Sequence, residues 1–181
     1  MSDAPSIRRL RPDDAPALRK LRRDALIQEP LAFKSSPEDD RCASLDFLRA
    51  ILGDEDEQAV FGAFDAESLV GMVGALRAPR RKLRHRVDVW GVFVLPAHRG
   101  RGLARALLAA AIEQARAWPG VTQVHLGVSS AASAAARLYE GLGFVEWGTE
   151  SHALQHEGTF ADERHLVLEL ACGAPAKSDP R

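Results

Sequence analysis

Arg99-Gly100-Arg101-Gly102-Leu103-Ala104-Arg105 is the stretch of this sequence best equipped for chemistry. Two glycines one residue apart let a backbone turn sharply and present its N–H groups without interference from Cβ atoms. A helix beginning at about Gly102 adds N–H groups that have no partner inside the helix. Together these make a cradle for an anion, and the helix dipole favours the same sign of charge. Arg99, Arg101 and Arg105 bring cations to that end. The chemistry implied is the holding of a phosphate or pyrophosphate. The plainer alternative is an ordinary strand–turn–helix connection with solvated arginines. A Walker loop does not fit, because Gly-Lys-Ser/Thr is absent, and a dinucleotide fingerprint needs a small residue where Arg105 stands.

Such a cradle must be held by a strand on one side and a helix on the other. Val87 to Val94 is rich in β-branched and aromatic residues and reads as a strand. Pro96 ends it, since proline cannot donate to a ladder. Leu103 to Arg116 is rich in Ala and Leu and reads as a helix, stopped by Trp118-Pro119-Gly120. Its stripe of Leu103, Ala106, Leu107 and Ala110 is expected to face the core. Within the strand, Asp88, Trp90, Val92 and Val94 alternate with Val89, Gly91 and Phe93, and Gly91 marks a bulge or a close backbone approach.

Arg99-Gly100-Arg101-Gly102-Leu103-Ala104 resembles the Arg/Gln-x-x-Gly-x-Gly/Ala signature of the GNAT superfamily of N-acetyltransferases. Val92-Phe93-Val94 with Pro96 before it, and Arg105-Ala106-Leu107-Leu108 after it, fit the same family. So does Leu138-Tyr139-Glu140-Gly141-Leu142-Gly143-Phe144 downstream. The resemblance covers roughly residues 6 to 170. It implies acetyl-CoA as co-substrate, no metal, and transfer of acetyl to a primary amine by direct attack within a ternary complex. It assigns the pyrophosphate to the backbone of Arg99, Gly100, Arg101, Gly102, Leu103 and Ala104. It assigns the pantetheine arm to Val92, Phe93 and Val94, beside a bulge that splays this strand from the next. The Val94 N–H is then the donor to the carbonyl oxygen, and Tyr139 the acid that protonates the sulfur.

Two family roles do not carry over. A glutamate base seen in some members falls at Gly127, and the asparagine that often contacts the cofactor falls at Ala132. Asp88 stands where histone-acetylating members carry a glutamate, and His125 shares the strand phase of Gly127. These two are the candidate bases, with a water relay as the third option. Ser129, Ser130 and Ser133 are hydroxyls that spacing alone does not assign. Phe33, in Pro30-Leu31-Ala32-Phe33, either lines the acceptor pocket or fills the core. The acceptor stays open among polyamine, amino acid, antibiotic and protein N-terminus. Many members form homodimers, and the resemblance allows one here. A non-catalytic acyl-CoA-binding sensor is the competing reading.

The 181 residues carry a net charge of −1, 46% hydrophobic residues and 27% charged ones. That is the composition of a soluble globular domain, not of a dedicated nucleic-acid binder. The basic run from Arg77 to Arg86 lacks the interleaved aromatics of a nucleic-acid platform. No apolar run reaches membrane-spanning length, and the N-terminus lacks a signal-peptide core, so the cytoplasm is the expected location. Cys42 and Cys172 do not make a disulfide framework. One domain over residues 1–171 is expected, with 172–181 as a flexible C-terminal tail.

The remaining patterns complete an α/β reading. A strand lies at Ile7 to Leu10, and an acidic helix start at Arg11-Pro12-Asp13-Asp14 leads into a run with Leu18, Leu21 and Ala25 on one face. A second helix covers Leu45 to Leu52. Ala59 to Phe64 and Leu69 to Leu76 form a hairpin. Gln123 to Val128 is a strand, Ser129 to Gly141 contains a helix, Gly143-Phe144 opens another strand, and Glu163 to Leu170 is the last. This order requires a mixed central sheet of about six to seven strands with helices on both faces, which is the GNAT fold.

Overall fold

The computed structural model describes residues 5–170; the expected tail at 172–181 lies outside them. In chain order the elements are β1 (Ser6–Arg9), α1 (Ala15–Gln28), α2 (Leu45–Gly53), β2 (Gln58–Asp65), β3 (Ser68–Arg77), β4 (Arg86–Val94), α3 (Leu103–Ala117), β5 (Gln123–Ser129), α4 (Ser133–Glu140), β6 (Val145–His156) and β7 (Thr159–Glu169). The mixed α/β order read from the sequence is the one observed. Seven strands form one sheet, ordered β1-β2-β3-β4-β5-β7-β6. Every neighbouring pair is antiparallel except β4–β5, which the α3 crossover makes parallel.

Local chemistry explains the helix starts. The α2 N-cap is Ser44, whose Oγ accepts from the Phe47 N–H at 3.3 Å. The acidic start of α1 is less direct than its sequence suggests. A single 3-10 turn, Pro12–Asp14, precedes the helix. The Asp14 carboxylate reaches back to the Arg11 N–H at 2.8 Å and pairs with Arg8 at 2.7 Å.

Helices cover both faces. On one, α3 and α4 bury Leu107, Leu108 and Tyr139 against Val73, Val87, Val124 and Leu166. On the other, α1 and α2 bury Leu18, Leu21 and Leu48 against Val60, Phe64 and Met72. The buried stripe of α3 corrects the sequence reading: it is Leu103, Leu107, Leu108, Ala111, Ile112 and Ala115. Ala106 is exposed and Ala110 half-buried. The larger leucines and Ile112 turn inward, because burying them removes more apolar surface from water.

Gly91 changes the phase of β4. It has φ +66°, and it and Val92 together oppose Val73, between the pairs Gly74–Trp90 and Met72–Phe93. Val87, Val89 and Val94 therefore belong to the core beneath α3, with Val92 packed against it. Phe93, with Trp90 packed beside it, belongs to the opposite core. The simple alternation that set Asp88 on the face of Val94 is broken by this one extra residue.

Trp90 lies across Gly74, so that a Cβ at Gly74 would overlap the indole ring. Gly74→Ala is expected to destabilise the fold by about 1–3 kcal/mol, the usual cost of overpacking. For a domain of this size that lowers Tm by roughly 2–4 °C per kcal/mol, measurable by calorimetry. An unchanged Tm would mean that the indole moves aside freely.

Candidate active site

The parallel ladder between β4 and β5 is short. It joins Arg86, Asp88 and the residue between them to Gln123 through His125 and then stops. Beyond it the strands part, and a cavity of about 570 Å³ opens, with Val92–Val94 on one wall and Gly127–Ser129 on the other. The bulge decides which backbone groups face this cleft. The Leu95 N–H donates to Val70 O at 2.9 Å on the β3 side. Alternation then turns the N–H and C=O of Val94 the other way, into the cleft. The Val94 carbonyl accepts from Arg99 Nε at 2.9 Å, which leaves the Val94 N–H as the donor at this point of the wall.

The glycine turn closes one end. Gly100 and Gly102 have φ of +76° and +77°, and nothing lies within 4 Å of where their Cβ atoms would stand. The first α3 hydrogen bond runs from the Ala106 N–H to Gly102 O at 3.1 Å. The N–H groups of Leu103, Ala104 and Arg105 precede it and are the open donors of the helix end. Gly100, Gly102, Leu103, Ala104 and Arg105 all line the cavity.

The three arginines do not act alike. Arg105 lines the cavity and reaches Gly141 O at 3.4 Å. Arg99 also lines it, but its guanidinium is engaged by Val94 O and by Glu29 Oε1 at 2.9 Å. Arg101 turns away toward Asp65, 3.4 Å off, a carboxylate that also meets His98 Nε2 at 3.1 Å. Asp65 stands at the β2–β3 turn, far from Arg101 in sequence, so local reading missed the diversion.

Tyr139, on α4, is 5% exposed and lines the cavity. Its ring meets Phe144 edge-on, centroids 6.1 Å apart. Burial pushes the phenol above its ordinary value, so it holds its proton at neutral pH. At the start of the same helix, Ala132 lines the cavity without a polar side chain. Ser129 and Ser133 line it as well, and the Ser129 Oγ accepts from the Ala131 N–H at 3.2 Å. Ser130 Oγ instead accepts from the Asp162 N–H at 3.1 Å, tying the end of β5 to β7.

Asp88 and His125 are not brought to the cavity. They face each other across the last rung of the β4–β5 ladder, before the strands part. Strand phase gives a face but not a height, and the bulge has already put Asp88 on the face opposite Val94. Asp88 is exposed, 3.9 Å from Arg86. His125 Nε2 pairs with Gln123 Oε1 at 3.0 Å. Burial, then the charge of Arg86, holds His125 below its ordinary value. The folded chain therefore keeps His125 neutral where the unfolded chain has begun to protonate it. Its contribution to stability is full above about pH 6.5 and is lost as pH falls from there through the folded value. His125→Ala is expected to flatten the loss of urea stability below about pH 6.5 while holding kcat/KM within about twofold. A loss of turnover without a change in acid stability would restore it as a base.

Phe33 stands between the second core and the cavity. It packs against the α1–α2 core, lines the cavity, and carries the Arg22 guanidinium 4.9 Å above its ring. One residue that sequence reasoning missed stands behind the β5 wall. Glu163, on β7 opposite Ser129, is 5% exposed, and its carboxyl lies over Gly127. A glycine inside a strand marks a close approach by another group, and Gly127 was that signal.

Comparison with known proteins shows the family. A mycothiol acetyltransferase of Thermobispora bispora is 48% identical over 60 residues, which are 33% of this chain and 20% of that protein. The matches span 18% to 36% of the length of the curated relatives. Among solved structures, a ribosomal-protein-alanine N-acetyltransferase from Brucella melitensis superposes with a TM-score of 0.77 at 28% identity, covering 91% of this chain and 99% of its own. YncA of Salmonella typhimurium, solved with its cofactor acetyl-CoA, superposes with a TM-score of 0.79 at 24% identity, over 98% of this chain and 100% of its own. With the model of the Acetyltransferase (GNAT) family matched from residue 18 to residue 144, this chain belongs to that family.

Proposed function

We propose that the protein is an acetyl-CoA-dependent N-acetyltransferase that moves acetyl to a primary amine by direct attack in a ternary complex. The observation that carries this reading is the Val94 N–H, which alternation turns into the cleft between β4 and β5 that the glycine turn and Tyr139 also line. The residues fit the group. The turn and the first α3 donors suit a pyrophosphate, and the open edges of the parted strands suit an extended arm bearing amides. Acetyl-CoA supplies an activated acyl carbon as a thioester.

The chain's own residues then have separable tasks. The Val94 N–H donates to the thioester oxygen, on which charge builds. Tyr139, kept protonated by burial, donates to the sulfur as it departs. Lysine-type amines, with pKa near about 10.4, arrive charged and must lose a proton before attacking. Gly127 and Ala132 offer neither a base nor a cofactor contact through a side chain, which is what keeps a non-catalytic acyl-CoA sensor as the second reading.

Thiol release from acetyl-CoA, followed against glycinamide, spermidine and a peptide with a free α-amine, separates the two. Turnover with any amine above the hydrolytic background is expected. Tight CoA binding by calorimetry with no turnover would favour the sensor; loss of both would reject the cleft as an acyl-CoA site.

A further inference from the structure

Glu163 is buried in a place where a carboxylate needs a reason. Its side chain reaches from β7 across Gly127, so that a Cβ there would stand 2.7 Å from the Glu163 carboxyl carbon. Gly127 and Ser129, the two β5 residues beside it, both line the cavity. On the other side, Lys34 Nζ stands 2.6 Å from Glu163 Oε2, and Lys34 follows Phe33, another lining residue. The lysine's approach does not have the angle of a hydrogen bond: Oε2 is buried and holds none among the described residues. The Lys34 side chain is two-thirds exposed, at 66%, against 7% for Glu163. A buried anion is thus balanced by a cation that water can draw away, an arrangement costly to leave unpaired and easy to exchange. His165 Nε2 lies 3.7 Å from the same oxygen and 3.6 Å from Glu150 on β6.

We propose that Glu163 is the carboxylate that receives the acceptor's ammonium, and that Lys34 holds that place until the acceptor displaces it. This rests on the acetyltransferase reading above and adds the chemical class of acceptor: an amine that arrives as a cation. The bound ammonium loses one proton to Glu163, which passes it to water. The neutral nitrogen forms its bond to the acyl carbon as the carbon–sulfur bond breaks. The sulfur keeps that electron pair and ends with the second proton that the nitrogen sheds. An amide and a thiol result, with one proton released.

The test uses the full chain, glycinamide and spermidine as probes, and two measurements. By calorimetry without acetyl-CoA, Glu163→Gln is expected to weaken amine binding about tenfold, the scale of one charge-assisted hydrogen bond. In turnover it is expected to lower kcat/KM at least about a hundredfold, with CoA affinity retained. Lys34→Met, at an exposed position that does not threaten the fold, is expected to lower KM for the amine severalfold. The double change Glu163→Ala with Gly127→Glu returns a carboxylate to the same space from β5. It is expected to recover at least about tenfold over Glu163→Ala alone, which a purely structural role would not do. Native amine binding and kcat/KM in Glu163→Gln, or a KM unmoved by Lys34→Met, would overturn the proposal while the acetyltransferase reading stands. Absence of turnover by the unaltered protein would overturn both.

Discussion

Replacing Tyr139 by phenylalanine is expected to lower kcat by about a hundredfold to a thousandfold and to leave CoA affinity within about twofold. The phenol sits in the cavity wall on α4, and phenylalanine retains the ring that meets Phe144 edge-on, so packing survives the change. What is lost is one donor. A departing thiolate has a proton affinity corresponding to pKa about 8.5. Tyr139 is pushed above its ordinary value by burial, so full transfer to that thiolate runs uphill. In the proposed mechanism the hydroxyl does most by donating a strong hydrogen bond to the sulfur as charge builds, which places the effect toward the lower part of the range for acid–base groups. The raised value also fixes the sign of the pH dependence. Tyr139 is protonated and competent through neutral and mildly alkaline pH, so no fall in kcat below about pH 10 comes from its ionisation. Thiol release at saturating substrates, measured from pH 6.5 to 9.5, tests both points. A phenylalanine variant with full kcat would remove the only proton donor assigned to the sulfur.

Most of the scaffold was legible because its signals are local. The strand before Pro96, the paired glycines, the Ala- and Leu-rich helix and the β2–β3 hairpin each announce themselves within a dozen residues. The Val92–Val94 wall and the glycine turn follow from them, since they lie close together in sequence. What stands across the cleft does not. Asp88 and His125 follow from counting along strands, and counting gives no height: β4 and β5 stay paired as far as these two, and the extra residue at Gly91 turns Asp88 to the other face. Arg101 was grouped with Arg99 and Arg105 by proximity, yet Asp65, 36 residues earlier, draws it away. Glu163 has no local mark at all. It comes to Gly127 because β7 enters between β5 and β6, a placement set by long-range register. The C-terminal hairpin is also longer than its pattern suggested: β6 and β7 extend to a turn at Glu157-Gly158, both with positive φ.

Gly102→Val is expected to weaken CoA binding by about a hundredfold or more, the largest single effect on the cofactor side. Gly102 is the α3 N-cap, with φ +77°, a region that β-branched residues avoid. Valine must either endure that strain or rotate the turn, and rotation takes the open N–H groups of Leu103 and Ala104 off their aim. Each charge-assisted hydrogen bond to a phosphate contributes about 1.5–3 kcal/mol, so losing two corresponds to roughly 3–6 kcal/mol, or a hundredfold to ten-thousandfold in Kd. A second effect adds to this. Nothing lies within 4 Å of where a Gly102 Cβ would stand, so the added carbons extend into open space at the turn, where they crowd an anion held by its N–H groups. The strain at this one turn costs about 1–3 kcal/mol, and Gly102→Ala separates the two contributions, since it brings strain with only one carbon. Calorimetric titration with CoA, beside a thermal melt of each variant, reads them directly. If the valine variant melts normally and binds CoA as before, the anion is held elsewhere. Arg105, which lines the same end of the cavity, would then be the next residue to remove.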